Sequence, residues 1–124
     1  MLARNAVAAY NRRDVPALAE LMTDDFEWTT WTGTVEPTVY RGRDGLTGYF
    51  RDADVWEVLH LDAREFREVG DGVLVVGTLH ARGGGSGAEI RAPYYAAFHM
   101  SGGKLERVLS FQTEAEALRA VRSG

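Results

Sequence analysis

The sequence of 124 residues contains no cysteine, which closes off both a disulfide framework and thiolate chemistry. Nowhere does it approach the roughly 20 consecutive apolar residues of a membrane span. A basic cluster interleaved with aromatics is also missing. With a formal net charge of -4, this argues against nucleic acid as a partner, because phosphate recognition needs a basic patch. The first residues, Met1-Leu2-Ala3-Arg4, lack the charged-then-apolar pattern of a signal peptide, so the expectation is a cytoplasmic protein with no membrane partner. His60, His80 and His99 stand at neither His-x-His nor His-x-x-x-His spacing, and no carboxylate completes a ligand set. We therefore expect no metal and no cofactor. What remains is ordinary globular material, 45% hydrophobic and 26% charged, sufficient for one core in a single domain over 1–124.

Periodicity lays out the elements. A first helix is expected over Leu2 to Asn11, burying Ala6, Val7 and Tyr10. After Asn11-Arg12-Arg13, Asp14 can cap a second helix, Val15 to Met22, whose Pro16 sits in the first turn where a missing N–H costs little. Thr23-Asp24-Asp25 reads as the turn closing that helix, and Phe26-Glu27-Trp28 then alternates like a strand. Gly33 to Pro37 reads as a loop, followed by a third helix over about Asp44 to Arg51 with Leu46, Tyr49 and Phe50 buried. From Trp56 onward the pattern is strands: Trp56 to Glu68, then Val73 to Arg82, Glu89 to Met100 and Lys104 to Gln112. Gly83-Gly84-Gly85-Ser86-Gly87 has strands on both sides, so it is a hairpin connection and not a phosphate-cradling loop, which would lead into a helix. Pro93 cannot donate to a ladder and predicts a bulge or an unpaired edge. Thr113 with Glu116 has the spacing of a capping box for a short last helix.

The order and spacing of several motifs carry a resemblance. These are Asn11-Arg12-Arg13-Asp14, Asp24-Asp25-Phe26-Glu27-Trp28, Tyr40-Arg41-Gly42-Arg43-Asp44-Gly45, Gly103-Lys104-Leu105, and the stretch from Phe111 to Leu118. Over nearly its whole length the chain resembles the SnoaL-like proteins of the nuclear transport factor 2-like, or ketosteroid isomerase-like, superfamily. The resemblance implies an α+β fold: a cone-shaped α+β barrel, with three N-terminal helices packed on a strongly curved, mostly antiparallel sheet, and a short C-terminal helix. Ketosteroid isomerases of this fold need a tyrosine, a carboxylate base and a protonated carboxylic acid, the last being a standard example of an acid kept neutral to serve an oxyanion. Their counterparts here fall on Ala6, Thr30 and Ala96. SnoaL-type cyclases place an acid or histidine near Ala96 and an aspartate at a last-strand position that is Ser110 here. Neither alanine nor an unassisted serine moves a proton at neutral pH.

The inward face of the last strand depends on its turn. A two-residue turn at Gly102-Gly103 would set Leu105, Arg107, Leu109 and Phe111 beside Tyr94, Ala96 and Phe98. A three-residue turn, Ser101-Gly102-Gly103, would set Glu106, Val108, Ser110 and Gln112 there, and the family comparison favours this one.

The expected ligand-binding wall is Tyr10, Trp28, Thr30, Phe50, Trp56, Tyr94, Phe98 and Ser110, an apolar, aromatic-lined pocket for a small hydrophobic molecule. The competing reading is an isomerase, cyclase or dehydratase acting on a polyketide- or steroid-like substrate. Tyr10, Tyr94, Glu65 or Glu106 would then serve as a non-standard acid or base. A protein adaptor like the transport factor itself is the third. On the outer sheet face, Thr78, His80, Arg91, Tyr95 and His99 give a mixed polar and aromatic surface. Family members dimerise through that surface, so a homodimer is expected.

Overall fold

The computed structural model describes residues 1–30, 37–85 and 87–123. Three N-terminal helices, α1 (Leu2–Asn11), α2 (Val15–Leu21) and α3 (Gly42–Asp52), lie against a six-stranded sheet, and α4 (Glu114–Ser123) ends the chain. The strands are β1 (Met22–Thr30), β2 (Thr38–Arg41), β3 (Trp56–Val69), β4 (Gly72–Gly83), β5 (Glu89–Ser101) and β6 (Lys104–Phe111). Their order is β2-β1-β6-β5-β4-β3, antiparallel throughout except for the β1–β6 pair.

Local chemistry explains the helix pair. The Ala17 amide donates to Asp14 Oδ1 at 3.1 Å, the expected cap, and Pro16 occupies the first turn. Arg13 takes a left-handed conformation, φ 54, which reverses the chain between α1 and α2. Asn11 then acts as a surrogate strand. Its Nδ2 donates to the Leu61 carbonyl at 3.0 Å, and its Oδ1 accepts from the Leu61 amide at 2.8 Å. Because β3 is an edge strand, those two backbone groups have no neighbouring strand to bond.

Several expectations shift. Met22 belongs to β1 and not to α2, and Thr23-Asp24-Asp25 is a register break inside β1 against β6, not a turn before the strand. The short β2, paired Trp28 with Tyr40, was not anticipated, and α3 starts at Gly42. A single 3-10 turn, Ala53–Val55, leads into β3. The loop expected over Gly33 to Pro37 lies outside the described residues except for Pro37. Pro93 forms no bulge. The β4–β5 register runs unbroken through Thr78 opposite Pro93, while β6 ends opposite Tyr95, so Pro93 sits on the unpaired stretch of β5.

The sheet curls through irregularities with identifiable causes. β3 carries an extra residue at Arg64, opposite the Gly77–Val76 step of β4. A Cβ at Gly77 would collide with the Asp62 carbonyl oxygen and lie 2.8 Å from Ala63 Cα, so glycine is what lets the two backbones close at the bend. On the inner face Val73, Val75, Ala81, Ala96 and Phe98 belong to one buried cluster with residues of α1 and α3. On the outer face α4 buries Leu74, Val76 and Ala97 beneath Ala117 and Val121.

Candidate functional site

Between the helices and the inner face of the sheet lies a cavity of about 330 Å³. Helix α1 contributes Ala6, Val7 and Tyr10, spaced to share one face, and α3 contributes Tyr49. From β1 come Trp28 and Thr30, two apart and therefore on the same side of the strand. Tyr94 and Phe98 come from β5, and Leu105, Val108 and Ser110 from β6.

The β6 contribution settles the turn. Gly102 and Gly103 both have positive φ, 59 and 80, and Ser101 pairs with Lys104, so the turn has two residues. That turn alone would have put Arg107 and Leu109 inward. Instead an extra residue at Glu106 shifts the register, so that His99 faces Arg107, Phe98 faces Val108 and Ala96 faces Ser110. The inward set favoured by the family comparison is reached for Val108 and Ser110, but through a bulge and not a longer turn. Leu105 also stays in the wall, one bulge before Val108.

Of the eight expected wall residues, Tyr10, Trp28, Thr30, Tyr94, Phe98 and Ser110 line the cavity. Phe50 does not. It is half-buried behind the wall, its ring 5.8 Å from that of Tyr10 and 5.1 Å from that of Tyr49. Trp56 does not either; it starts β3, away from the cavity, and its carbonyl accepts from Arg13 Nη2. The sequence reading missed Tyr49 as a wall residue, although it had placed Tyr49 on the buried side of α3. Only the crossing of α3 over β1, which stacks Tyr49 on Trp28 at 4.0 Å, aims the ring into the cavity.

Polar groups interrupt the apolar wall at Tyr10, Thr30, Tyr49, Tyr94, Ser110 and Gln112. Tyr10 and Tyr49 share a buried hydrogen bond of 2.7 Å, in which either hydroxyl can donate. Tyr94 and Ser110 meet in the same wall from the adjacent strands β5 and β6. Burial pushes all three phenols above their ordinary range. Tyr10 is raised further by its neighbour Tyr49. Tyr49 reaches about 12, with the Tyr10 hydrogen bond pulling the other way. For Tyr94, burial outweighs the opposing influence of Ser110. The phenols are therefore neutral at physiological pH, able to donate and accept hydrogen bonds but not to act as bases.

Among the described residues no carboxylate, imidazole or cation lines the cavity. The two alternative acids, Glu65 and Glu106, are not in the wall. Glu65 lies opposite Val76 on the outer face and pairs with Arg67 at 2.6 Å, while Glu106 is the bulge residue of β6. No group of three or more His, Cys, Asp or Glu side chains that could hold a metal ion occurs among the described residues. His60 is exposed and His80 bonds Glu89 at 2.8 Å. His99, on the outer face as expected, is nevertheless buried, because α4 packs over that end of β5.

Comparison with known proteins agrees with this architecture. An NTF2-like protein of unknown function from Burkholderia pseudomallei is 21% identical and superposes with a TM-score of 0.78, over 97% of this chain and 94% of that one. TerC, co-crystallised with polyporic acid, is 22% identical with a TM-score of 0.77, over 99% and 96%. A candidate SnoaL-like polyketide cyclase from Shewanella denitrificans is 18% identical with a TM-score of 0.75, over 96% and 95%. At these identities the likeness is one of fold. No curated protein matches the sequence. The SnoaL-like domain model matches residues 3–108, from the first helix into the last strand that walls the cavity, and the chain therefore belongs to the SnoaL-like domain family.

Proposed function

We propose that this SnoaL-like domain binds a small, flat, hydrophobic molecule in the cavity between α1, α3 and the inner sheet face. The observation that carries the reading is a wall of mostly apolar and aromatic side chains around about 330 Å³, with neutral hydroxyls and the Gln112 amide as its polar side chains beside the Trp28 indole. The fold's use elsewhere supports it, since TerC was crystallised with polyporic acid and a ketosteroid isomerase-like protein from Catenulispora acidiphila with trimethylamine. The enzyme reading, an isomerase, cyclase or dehydratase of the polyketide-cyclase kind, requires a proton acceptor at the cavity. Among the described lining residues only tyrosines titrate, and burial holds them protonated.

Calorimetric titration with naphthalene-sized aromatics tests the proposal. Binding by the native protein should weaken by about tenfold or more in Ala92→Phe, which narrows the cavity from β5 while circular dichroism stays native. Equal binding by the variant would place the ligand elsewhere, and no binding by the native protein would overturn the reading.

We further propose that the chain forms a homodimer through the part of the outer face carrying Thr78, His80 and Arg91. The Tyr95 and His99 part of the expected surface is taken up by α4 of the same chain.

A further inference from the structure

The cavity opens where β6 stops short. Most of its lining residues are buried, and those that reach solvent lie together: Leu79 on β4, Ala92 to Tyr94 on β5, and Ser110 to Gln112 at the end of β6. Their grouping follows from strand length. β6 ends opposite Tyr95, whereas β5 begins at Glu89 and stays paired with β4 over the whole stretch between. Farther back along β6, Leu105 pairs with Met22 of β1, and with Leu18 these make the closed end of the wall apolar. The hydroxyls of Tyr10 and Tyr49 are already bonded to each other.

The β4–β5 ladder tells what the open edge of β5 presents at this mouth. The Gly83 amide donates to the Ala88 carbonyl at 2.8 Å, and the register beyond that pair is unbroken. In an antiparallel pair the backbone groups of every second residue point to the partner strand. Ala92 and Tyr94 therefore bond β4, as Ala88 does, while Arg91 and Pro93 turn their backbone groups to the side that β6 has left. Side chains alternate as well. Those of Ala92 and Tyr94 face inward, so Pro93 between them meets the cavity with its strand edge. Proline has no N–H, and that edge consequently offers a carbonyl acceptor alone. Gln112, two residues beyond Ser110 in the same wall, brings a second carbonyl on its side chain. A carboxylate at the mouth would set its charge against the Pro93 carbonyl oxygen, with no cation among the described lining residues to offset it.

We propose that the ligand is amphipathic and enters apolar end first, leaving a hydrogen-bond donor, a hydroxyl or amino group, in the gap between the Pro93 carbonyl and Gln112. This inference rests on the small-molecule reading of the cavity and adds the ligand's orientation and the chemistry of its outer end. It also gives Pro93 two tasks, since the missing N–H guards a bare strand edge against pairing and leaves the acceptor free.

Two probes separate the terms: 2-naphthol, and 2-methoxynaphthalene, which keeps the oxygen but cannot donate. Calorimetry on the native protein should show the naphthol binding about fivefold tighter. In Gln112→Leu that advantage should shrink to about twofold or less, while Gln112→Glu, which keeps an acceptor, should retain it. Affinity for the methoxy probe should hold in both variants, and Gln112 is exposed beyond the end of β6, so neither change touches the core. Nuclear Overhauser contacts should place the ring protons flanking the hydroxyl near the Ala92 methyl and the far ring near the Met22 methyl. Equal affinity of the native protein for the two probes, or the reversed set of contacts, would overturn the proposal while leaving the apolar pocket intact. An undiminished advantage in Gln112→Leu would overturn the assignment of Gln112. Failure of the native protein to bind either probe would remove the small-molecule reading and this inference together.

Discussion

Asn11 shows how far a single side chain can substitute for secondary structure. With one acceptor and one donor it satisfies both free backbone groups of Leu61 on an edge strand and so ties the end of α1 to the sheet. Asn11→Ala removes both bonds and leaves partly buried backbone groups to find water. We expect a loss of about 2 kcal/mol in urea unfolding with an unchanged slope, and a similar loss in Asn11→Asp, which keeps the acceptor but not the amide donor. From the sequence, Asn11 was visible as a break in the helical pattern and as part of a family motif. Its function was not, because Leu61 lies 50 positions away and its need arises only from being on the sheet edge. The cavity hydroxyls follow the same logic: tyrosines at 10 and 94 were recognisable candidates, but which hydroxyl would meet which could not be read without α3 in place.

Two elements, β6 and α4, carry the main differences between reading and structure. Whether β6 turned Ser110 or Leu109 inward hinged on one residue, and the bulge at Glu106 supplied it. Bulges have no dependable local signature, whereas the paired glycines of the turn do. For α4, the capping expectation is met: the Glu116 amide donates to Thr113 Oγ1 at 3.2 Å, and that hydroxyl donates to the Glu116 carboxylate at 2.9 Å. What strand alternation could not foresee was that α4 would fold back over the outer face and bury His99. Burial first, and then the nearby Arg107, lower the pKa of His99 below its ordinary 6.5, against the opposing pull of the Ala120 carbonyl and Glu106. The native state therefore binds fewer protons than the unfolded chain just below pH 6.5, and stability falls as pH drops through that window. Thermal melts should show this acid-side loss in the native protein, and His99→Gln should flatten it between pH 5.5 and 7. An unchanged pH profile in the variant would assign the loss to other groups.

At the scale of the whole molecule, the cone gives the sheet two faces with different fates. The inner face and the three N-terminal helices enclose the cavity, while the outer face is shared between α4 and a bare strip around Thr78, His80 and Arg91. If that strip is the dimer surface, sedimentation of the native protein should give twice the 13.7 kDa chain mass, and Thr78→Arg should return it to one. A native monomer would refute the dimer without touching the cavity. No helix among the described residues is long and apolar enough to cross a membrane, in line with the absence of such a run in the sequence. Periodicity, caps and turn glycines determined most of the helices and long strands, and motif order determined the family, because these signals act over a few residues and survive without tertiary context. The same local reading identified six of the wall residues, since alternation on a strand fixes which side chains share a face. Only the tertiary structure decided that Tyr49 joins the wall and that Phe50 and Trp56 stand outside it. Those outcomes depend on the register of β6, the crossing of α3 and the curl at Gly77, where residues far apart in the chain meet and no local preference governs the result.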